Sequence, residues 1–430
     1  MIPIQPGPTS PWMPETNAGI LRGNPRLCYR AAVALTALSA LYRRLMVRTR
    51  FIAITGSYGK STASRCLAAI LSAHQPTNFS DTPRNGRADL ALNLLRTRLH
   101  HRFTVIEVGT KLPGALLRAS WQIDPDIAAV LAVGLQHTNE FPTLEDTARE
   151  KVQLLRGIRG RRTAVLNGDD PRVRAMAAQS RGKVFLFGTS PEFDLWADHI
   201  SGVWPDGLCF TAHAGPISVR IETQLIGTHW LAAVLGAIGC ALAAGVSLPD
   251  CAAPLRGVKP FLGRLSPHQL PSGAHVLRDE INASLSSLFP ALDVLRQARA
   301  SRRIIIMGDV FDTPLKHRDR LMELGRLAAG AADVVLLVGQ RTNPAVRAAI
   351  AAGLPESAAR SFHKLEDAAD WLRRELRPGD LLLIRARGQF HMERLYFAQL
   401  GTIQCWMSRC ELHGNCDRCE YLGFEPDPPA

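Results

Sequence analysis

Thr55-Gly56-Ser57-Tyr58-Gly59-Lys60-Ser61-Thr62 gathers the groups that hold a nucleoside triphosphate. Its glycines let backbone N–H groups turn inward on phosphate oxygens, Lys60 can reach the β- and γ-phosphates, and the Ser61 hydroxyl can ligate Mg²⁺. The usual phosphate loop has a glycine where this chain has Ile54, so a shortened form, T-G-[ST]-x-G-K-[ST]-[ST], is the one that fits. Thr55, Gly56, Ser57, Gly59, Lys60, Ser61 and Thr62 are the candidate contacts to ATP, with Lys60 neutralising phosphate charge.

A second group lies at the C-terminus. Cys405-x4-Cys410-x5-Cys416-x2-Cys419, with His413 inside, offers four thiolates within fifteen residues. In a reducing compartment such crowding points to metal before disulfides, either Zn²⁺ in tetrahedral sulfur or an iron–sulfur cluster. Cys28, Cys66, Cys209, Cys240 and Cys251 stand singly in apolar surroundings and read as core residues.

These groups need elements to place them. The loop falls between an apolar β-rich run, Phe51–Thr55, and a helical pattern from Ser61 to Ala73, so bound phosphates would meet a helix N-terminus. Phe103–Val108, Ile127–Val133 and Thr163–Leu166 are further buried-strand candidates separated by helical stretches, the signature of a mostly parallel α/β sheet. Beyond Pro254–Ser272, the runs Val276–Leu277, Arg303–Met307, Val334–Val338 and Leu381–Ile384 alternate with helical patterns at 286–300, 315–330, 344–353 and 365–376. The expected fold class is therefore α/β, a central P-loop ATPase-type parallel-sheet domain plus a smaller Rossmann-like C-terminal domain. The expected boundaries are an Arg-rich helical segment over 1–49, an ATP-binding domain over 50–255, a C-terminal domain over 256–402 and a Cys-rich tail over 403–430.

The chain has 430 residues, 51 Lys and Arg against 38 Asp and Glu, and a net charge of +13. From Thr16 to Ser80 there is no acidic residue, a bias that favours anionic partners. Apolar spacing over 26–48 predicts a helix that packs against the following domain. No apolar run reaches the ~18 residues of a membrane span, and the N-terminus lacks the form of a secretory signal. The expected location is the cytoplasm, with no integral membrane segment.

The shortened loop and the segments after it resemble the Mur ligase family, whose members join a carboxylate to an amino acid or peptide amine through an acyl phosphate. Val105-Ile106-Glu107-Val108-Gly109 is similar to the family's strand end whose glutamate binds Mg²⁺. Gln136-His137-Thr138-Asn139-Glu140 is similar to its histidine segment, which supplies a further Mg²⁺ ligand. The stretch EDTAREKVQLL, Glu145 to Leu155, resembles the helix whose lysine is carbamylated, here Lys151. Leu166-Asn167-Gly168-Asp169-Asp170 looks like the N-x-D-D turn, Gly263-Arg264 like the opening of the C-terminal domain, and Asp279-Glu280-Ile281-Asn282-Ala283 like D-x-Y-N-A. The resemblance implies Lys60, Lys151 and Arg264 as catalytic groups, and Ser61, Glu107, His137 and Lys151 around Mg²⁺. It adds Asn167, His229, Arg264 and Asp279 to the ATP contacts.

Some positions depart from the pattern. The adenine-contacting segment reads Gly227-Thr228-His229-Trp230-Leu231-Ala232-Ala233, without its asparagines, and Lys-Gly-Ser-Arg reads Arg385-Ala386-Arg387-Gly388. About 50 residues precede the loop, short of a small domain. The expectation is an ATP-dependent acid–amine ligase acting on an anionic carboxylate other than a UDP-muramoyl peptide, with a partner protein able to supply a further domain. The alternatives are the D-alanyl-D-alanine-adding ligase of peptidoglycan synthesis, and a non-catalytic ATP- or nucleic-acid-binding scaffold.

Overall fold

The computed structural model describes residues 25–80, 86–110, 112–135, 140–281, 285–309, 315–407, 410 and 416–426. The chain divides into two compact units. One comprises the residues up to Trp196 with Ala214–Ile217 and Ala232–Pro254; the other comprises Ala197–His213, Ser218–Leu231 and the residues from Leu255 on.

The first sheet is built from β1 (Arg50–Thr55), β2 (Thr77–Phe79), β3 (Phe103–Glu107), β4 (Ile127–Val130), β5 (Arg159–Asn167), β6 (Arg181–Gly188), β7 (Leu195–Ser201), β8 (Cys209–Ala214) and β9 (Ile217–Glu222). Its strand order is β2-β3-β1-β4-β5-β6-β7-β8-β9. Strands β1 to β6 pair in parallel, with Ile54 opposite Glu107 and Thr55 opposite Val130. Phe51, Ile52, Ala53 and Ile54 are all fully buried, which explains why β1 reads as a continuous apolar run instead of an alternation. Parallel pairing then carries the chain out of every strand at one edge, where loops and helix N-termini collect.

Around this sheet run α1 (Pro25–Leu45), α2 (Lys60–Ser72), α3 (Arg87–Arg96), α4 (Ala115–Ile123), α5 (Leu144–Lys151), α6 (Pro171–Ala175), α7 (Leu231–Ala243) and α8 (Leu248–Arg256). Helix α1 packs on α3 and α4, as its apolar spacing predicts. Its anchor is Arg43, whose guanidinium lies 3.9 Å from the centre of the Phe51 ring. Arg43 donates to the Ile123 carbonyl at 2.8 Å and reaches Asp126 Oδ2 at 3.2 Å. An arginine near the helix end is thus spent on fixing α1, not on a soluble anion.

The second sheet contains β10 (Ser266–Gln269), β11 (His275–Asp279), β12 (Arg302–Met307), β13 (Val334–Val338), β14 (Ala359–Phe362) and β15 (Asp380–Arg385), in the order β10-β11-β15-β12-β13-β14. Only β10 is antiparallel to its neighbour within this sheet. Helices α9 (Leu285–Gln297), α10 (His317–Ala329), α11 (Asn343–Ala351), α12 (Leu365–Glu375) and α13 (Glu393–Phe397) accompany it, and the short pair β16 (Gly401–Thr402) and β17 (Glu425–Pro426) closes the tail. Separate apolar clusters pack about Leu277, Leu337 and Leu383 and about Val276, Leu336 and Leu382, so alternate residues of the strands face opposite ways into two cores. Among the described residues no helix is long and apolar enough to cross a membrane.

Helices α10 and α11 cross so closely that a Cβ on Gly325 would lie 2.0 Å from the Ala345 carbonyl oxygen. Alanine favours a helix interior by about 1 kcal/mol over glycine, but overpacking against backbone costs roughly 1–3 kcal/mol. Gly325→Ala is therefore expected to lower the urea midpoint of unfolding despite its better helix propensity; an unchanged or raised midpoint would show that the crossing yields.

Candidate active site

The phosphate loop leaves β1 at Thr55 and enters α2 at Lys60. Two glycines set its path. Gly59 has φ +81°, in the left-handed region, and a Cβ on Gly56 would lie 3.0 Å from the Tyr58 carbonyl oxygen and 3.1 Å from Leu131 Cβ. Ser57 latches the loop to the segment after β4: its hydroxyl donates to the Gly134 carbonyl at 2.9 Å and accepts the Gly134 N–H at 2.7 Å. Thr55 and Thr62, like Ser57 and Ser61, are buried.

The structure brings the two expected oxygen ligands together. Glu107 ends β3, beside β1, and the Ser61 hydroxyl donates to Glu107 Oε2 at 2.7 Å. A hydroxyl and a carboxylate at one spot suit a hard cation such as Mg²⁺. Lys60 Nζ donates to the Gly56 carbonyl at 2.7 Å, folded along the loop whose phosphates it would meet. His137 lies outside the described residues.

Lys151 ends α5, which starts with a capping box between Thr143 and Asp146. It is 3% exposed. Burial first, and the Lys60 charge second, hold its amine well below the ordinary lysine value, while Glu150 opposes the shift. The shift runs toward the neutral amine, the form that can add to carbon dioxide. The adjacent Glu150 turns to another task, accepting the Gly114 and Leu116 N–H groups at 2.8 Å each at the start of α4.

Asn167 uses both ends of its amide inside the protein, donating to the Leu131 carbonyl at 2.8 Å and accepting the Asp169 N–H at 3.0 Å. Asp170 accepts the Val133 N–H at 2.8 Å and caps α6. The N-x-D-D turn therefore clamps the end of β4 beside the loop. The sequence reading places Asp170 in the N-x-D-D turn without a role of its own and gives Glu150 none; only Asp170 stands at the start of its own helix, whereas Glu150 lies in the last turn of α5.

In the second unit, Gly263 has φ +70° and turns the chain into Arg264. Asp279, placed by its match to the family as an ATP contact, forms a buried ion pair with Arg385, which also donates to the Ser287 hydroxyl at 2.6 Å. Register explains this pair, because Asp279 lies opposite Arg385 across β11 and β15. The Arg385 role was likewise missed. His229 sits in a short 3₁₀ turn, its imidazole crowded by protein atoms and pushed down to about 4 by burial first and then by Arg385.

The C-terminal cysteines do not assemble as their spacing suggested. Cys405, Cys410, Cys416 and Cys419 are free thiols. Among the described residues, the side chains whose donor atoms converge within 4.8 Å are His391, Glu393 and Cys416. The other three cysteines do not belong to that group.

Residues 54–241 match the Mur ligase middle domain and residues 263–388 match the Mur ligase, glutamate ligase domain. The chain is 28% identical over 310 residues to the UDP-N-acetylmuramoyl-tripeptide–D-alanyl-D-alanine ligase of Escherichia coli K12, covering 71% of this chain and 68% of that protein. It is 28% identical over 387 residues to the protein of the same name from Mycobacterium tuberculosis H37Rv, covering 83% of this chain and 74% of the other. A crystal structure of MurF from Acinetobacter baumannii aligns with a TM-score of 0.77 at 26% identity, over 85% of this chain and 79% of that one.

Replacing Lys60 removes the charge nearest the loop while leaving the glycine path intact. Lys60→Ala is expected to lower ATP turnover by about 10²–10³-fold, the scale of losing one preorganised group at a transferring phosphoryl. Circular dichroism should be unchanged, and full turnover in the folded variant would remove Lys60 from the site.

Proposed function

Because this chain belongs to the Mur ligase family, ATP-dependent ligases that form carbon–nitrogen bonds, we propose that it joins the terminal carboxylate of a UDP-N-acetylmuramoyl tripeptide to the amine of D-alanyl-D-alanine. The observation that carries the chemistry is the loop with Ser61 on Glu107 and the buried Lys151, whose amine burial and Lys60 hold well below the ordinary lysine value. The relatives' names, over alignments that take in up to 83% of this chain, support the substrates. The sequence-based expectation of a different acid has less behind it than this alternative and yields to it.

A carboxylate is a poor electrophile. One of its oxygens attacks the γ-phosphorus of ATP, the bond to the β-phosphate oxygen breaks, and ADP leaves. The dipeptide amine then attacks the acyl carbon, inorganic phosphate departs, and the amine proton passes to a base. Phosphoryl transfer asks chiefly for positioning and charge neutralisation. In this reading Lys60 and Arg264 supply positive charge, and Gly56 and Gly59 give the loop backbone room to face the phosphates. Asp279 and His229 are further proposed nucleotide contacts, with residues 50–255 as the ATP-binding domain and 256–402 as the C-terminal domain.

Mg²⁺, when bound, draws charge off the phosphates; Ser61, Glu107 and His137 would hold it. Lys151 joins them as a carbamate, formed when its free amine adds to carbon dioxide and releases a proton. The reading extends to the C-terminal cysteines, which as unpaired thiols we assign to a metal, Zn²⁺ ahead of an iron–sulfur cluster.

Two measurements test the proposal. Mixed with UDP-N-acetylmuramoyl tripeptide, D-alanyl-D-alanine and Mg-ATP, the protein should release phosphate only when acid and dipeptide are both present. Turnover with another carboxylate but not with this pair would overturn the substrate and leave the ligase chemistry. Lys151→Ala should lose activity and regain part of it in high acetate or formate, whose oxygens replace those of the carbamate. Full activity without added carboxylate would remove Lys151 from the mechanism.

A further inference from the structure

We propose that the tail is held by one Zn²⁺ bound through His391 Nδ1, the Glu393 carboxylate and Cys416 Sγ, with the Cys419 thiolate in the fourth position. This rests on the reading of the tail as a metal segment and replaces its four-cysteine ligand set with a mixed one.

The geometry comes from three elements. His391 follows β15 and a 3₁₀ turn, Glu393 opens α13, and Cys416 opens the 3₁₀ turn Cys416–Arg418 in the tail. Cys416 Sγ lies 3.4 Å from His391 Nδ1, and Glu393 Oε1 lies 3.1 Å from the same nitrogen. Zinc binds sulfur at about 2.3 Å and nitrogen or oxygen at about 2.0–2.2 Å, so tetrahedral ligands stand roughly 3.3–3.6 Å from one another. The two separations from His391 Nδ1 are already close to that spacing, and all three donor atoms lie within 4.8 Å of one another.

Burial and charge point the same way. His391, Glu393 and Cys416 are exposed by only 4%, 3% and 7%. Glu393 Oε2 is buried without a hydrogen-bond partner, as is Oε2 of the nearby Glu280. Among the described residues, Glu393 has the His391 imidazole as its ion-pair partner, whereas Arg278 is committed to Glu280 and Asp417. Arg394 donates to backbone carbonyls, of His391 at 3.1 Å and Met407 at 2.6 Å, and leaves its Nη2 buried without a hydrogen-bond partner. A neutral imidazole has one N–H for two acceptors here, and a buried carboxylate without enough cationic partners is costly. A divalent ion satisfies the nitrogen, the sulfur and the orphaned oxygen together.

Backbone strain adds a further observation. His391 adopts φ +47°, a left-handed conformation costly for a residue other than glycine and retained where surroundings demand it. Cys419 is the fourth ligand by position: its N–H donates to the Cys416 carbonyl at 3.1 Å, so one tight turn carries both sulfurs. A CxxC turn commonly offers two sulfurs to one ion.

The test uses the full chain, purified without chelator, with metal content measured by mass spectrometry and Co²⁺ substituted for optical reading. About one zinc per chain is expected, with cobalt d–d bands of tetrahedral form and sulfur-to-cobalt charge transfer of the strength of two thiolates. His391→Ala and Cys416→Ser should each lose the metal, and Cys410→Ser should keep it. Metal lost in Cys410→Ser but kept in His391→Ala, or a charge-transfer band of four thiolates, would overturn the mixed site while leaving a metal-binding tail. An iron–sulfur absorption would do the same. A wild-type chain that holds no zinc and takes up no cobalt would overturn both. The wild-type cobalt spectrum decides even where a variant fails to fold.

Discussion

Leu131 is an apolar side chain with no chemistry of its own, yet the nucleotide site depends on the space around it. A Cβ on Gly56 would meet its Cβ at 3.1 Å, one on Gly59 its Cδ1 at 3.6 Å, and one on Gly236 its Cδ2 at 2.4 Å. The loop approaches from one direction and α7 from another. Its own backbone is fixed as well, with its N–H donating to the Thr55 carbonyl at 3.0 Å and its carbonyl accepting from Asn167. Close packing transmits displacement with little give. A side chain at Gly56 would press the loop against Leu131, one at Gly236 would press on Leu131 from α7, and one at Gly59 would strain a left-handed backbone; an error of about an ångström in such a site is expensive.

The same enclosure sets the electrostatics. Lys151 could be an ordinary ammonium if α5 ended in solvent. Packed at the end of α5 and beside Lys60, it loses hydration and faces a like charge, and both effects favour the neutral amine. Glu150, the carboxylate next to it in sequence, is occupied with the N–H groups that begin α4. The two neighbours thus have separate work, one shaping the scaffold and the other available for chemistry. Ser61 and Glu107 meet for a simpler reason: parallel strands β1 and β3 end at the same edge, and α2 starts above it.

Much of this was legible in the sequence. The shortened loop, the buried strands after it and the alternation of strands with helices all express short-range rules of period and turn chemistry, and the structure contains them. The glutamate at the end of β3 could be found because a strand end is a position in sequence as well as in space. What escaped depends on pairing between distant segments. Arg385 reads as a substituted basic position, and nothing near it signals that the β11–β15 register sets it against Asp279. Short β2 and β14 carry too few residues for a pattern. The cysteine spacing was visible, but His391 and Glu393 come from a separate segment, and only folding brings them to Cys416.

That last case shows how a buried polar cluster can work together with apolar packing to hold a short segment. Among the described tail residues Ile403, Cys416 and Leu422 are buried in the core beside β15 and α12, and Cys405, Trp406, Cys419 and Phe424 pack against it. Polar contacts join them: Arg278 binds Asp417 at 2.7 Å, Arg394 gathers carbonyls from the segment around Met407, and Glu393 accepts the Cys416 N–H at 3.0 Å. Arg278 and Arg394 are themselves buried and come from β11 and α13, elements of the sheet domain. Buried charge of this kind contributes less to net stability than to selecting one arrangement, since any other docking of the tail would leave the guanidinium and carboxylate groups unpaired. Apolar burial holds the tail on its domain, and charge and hydrogen bonding select its register.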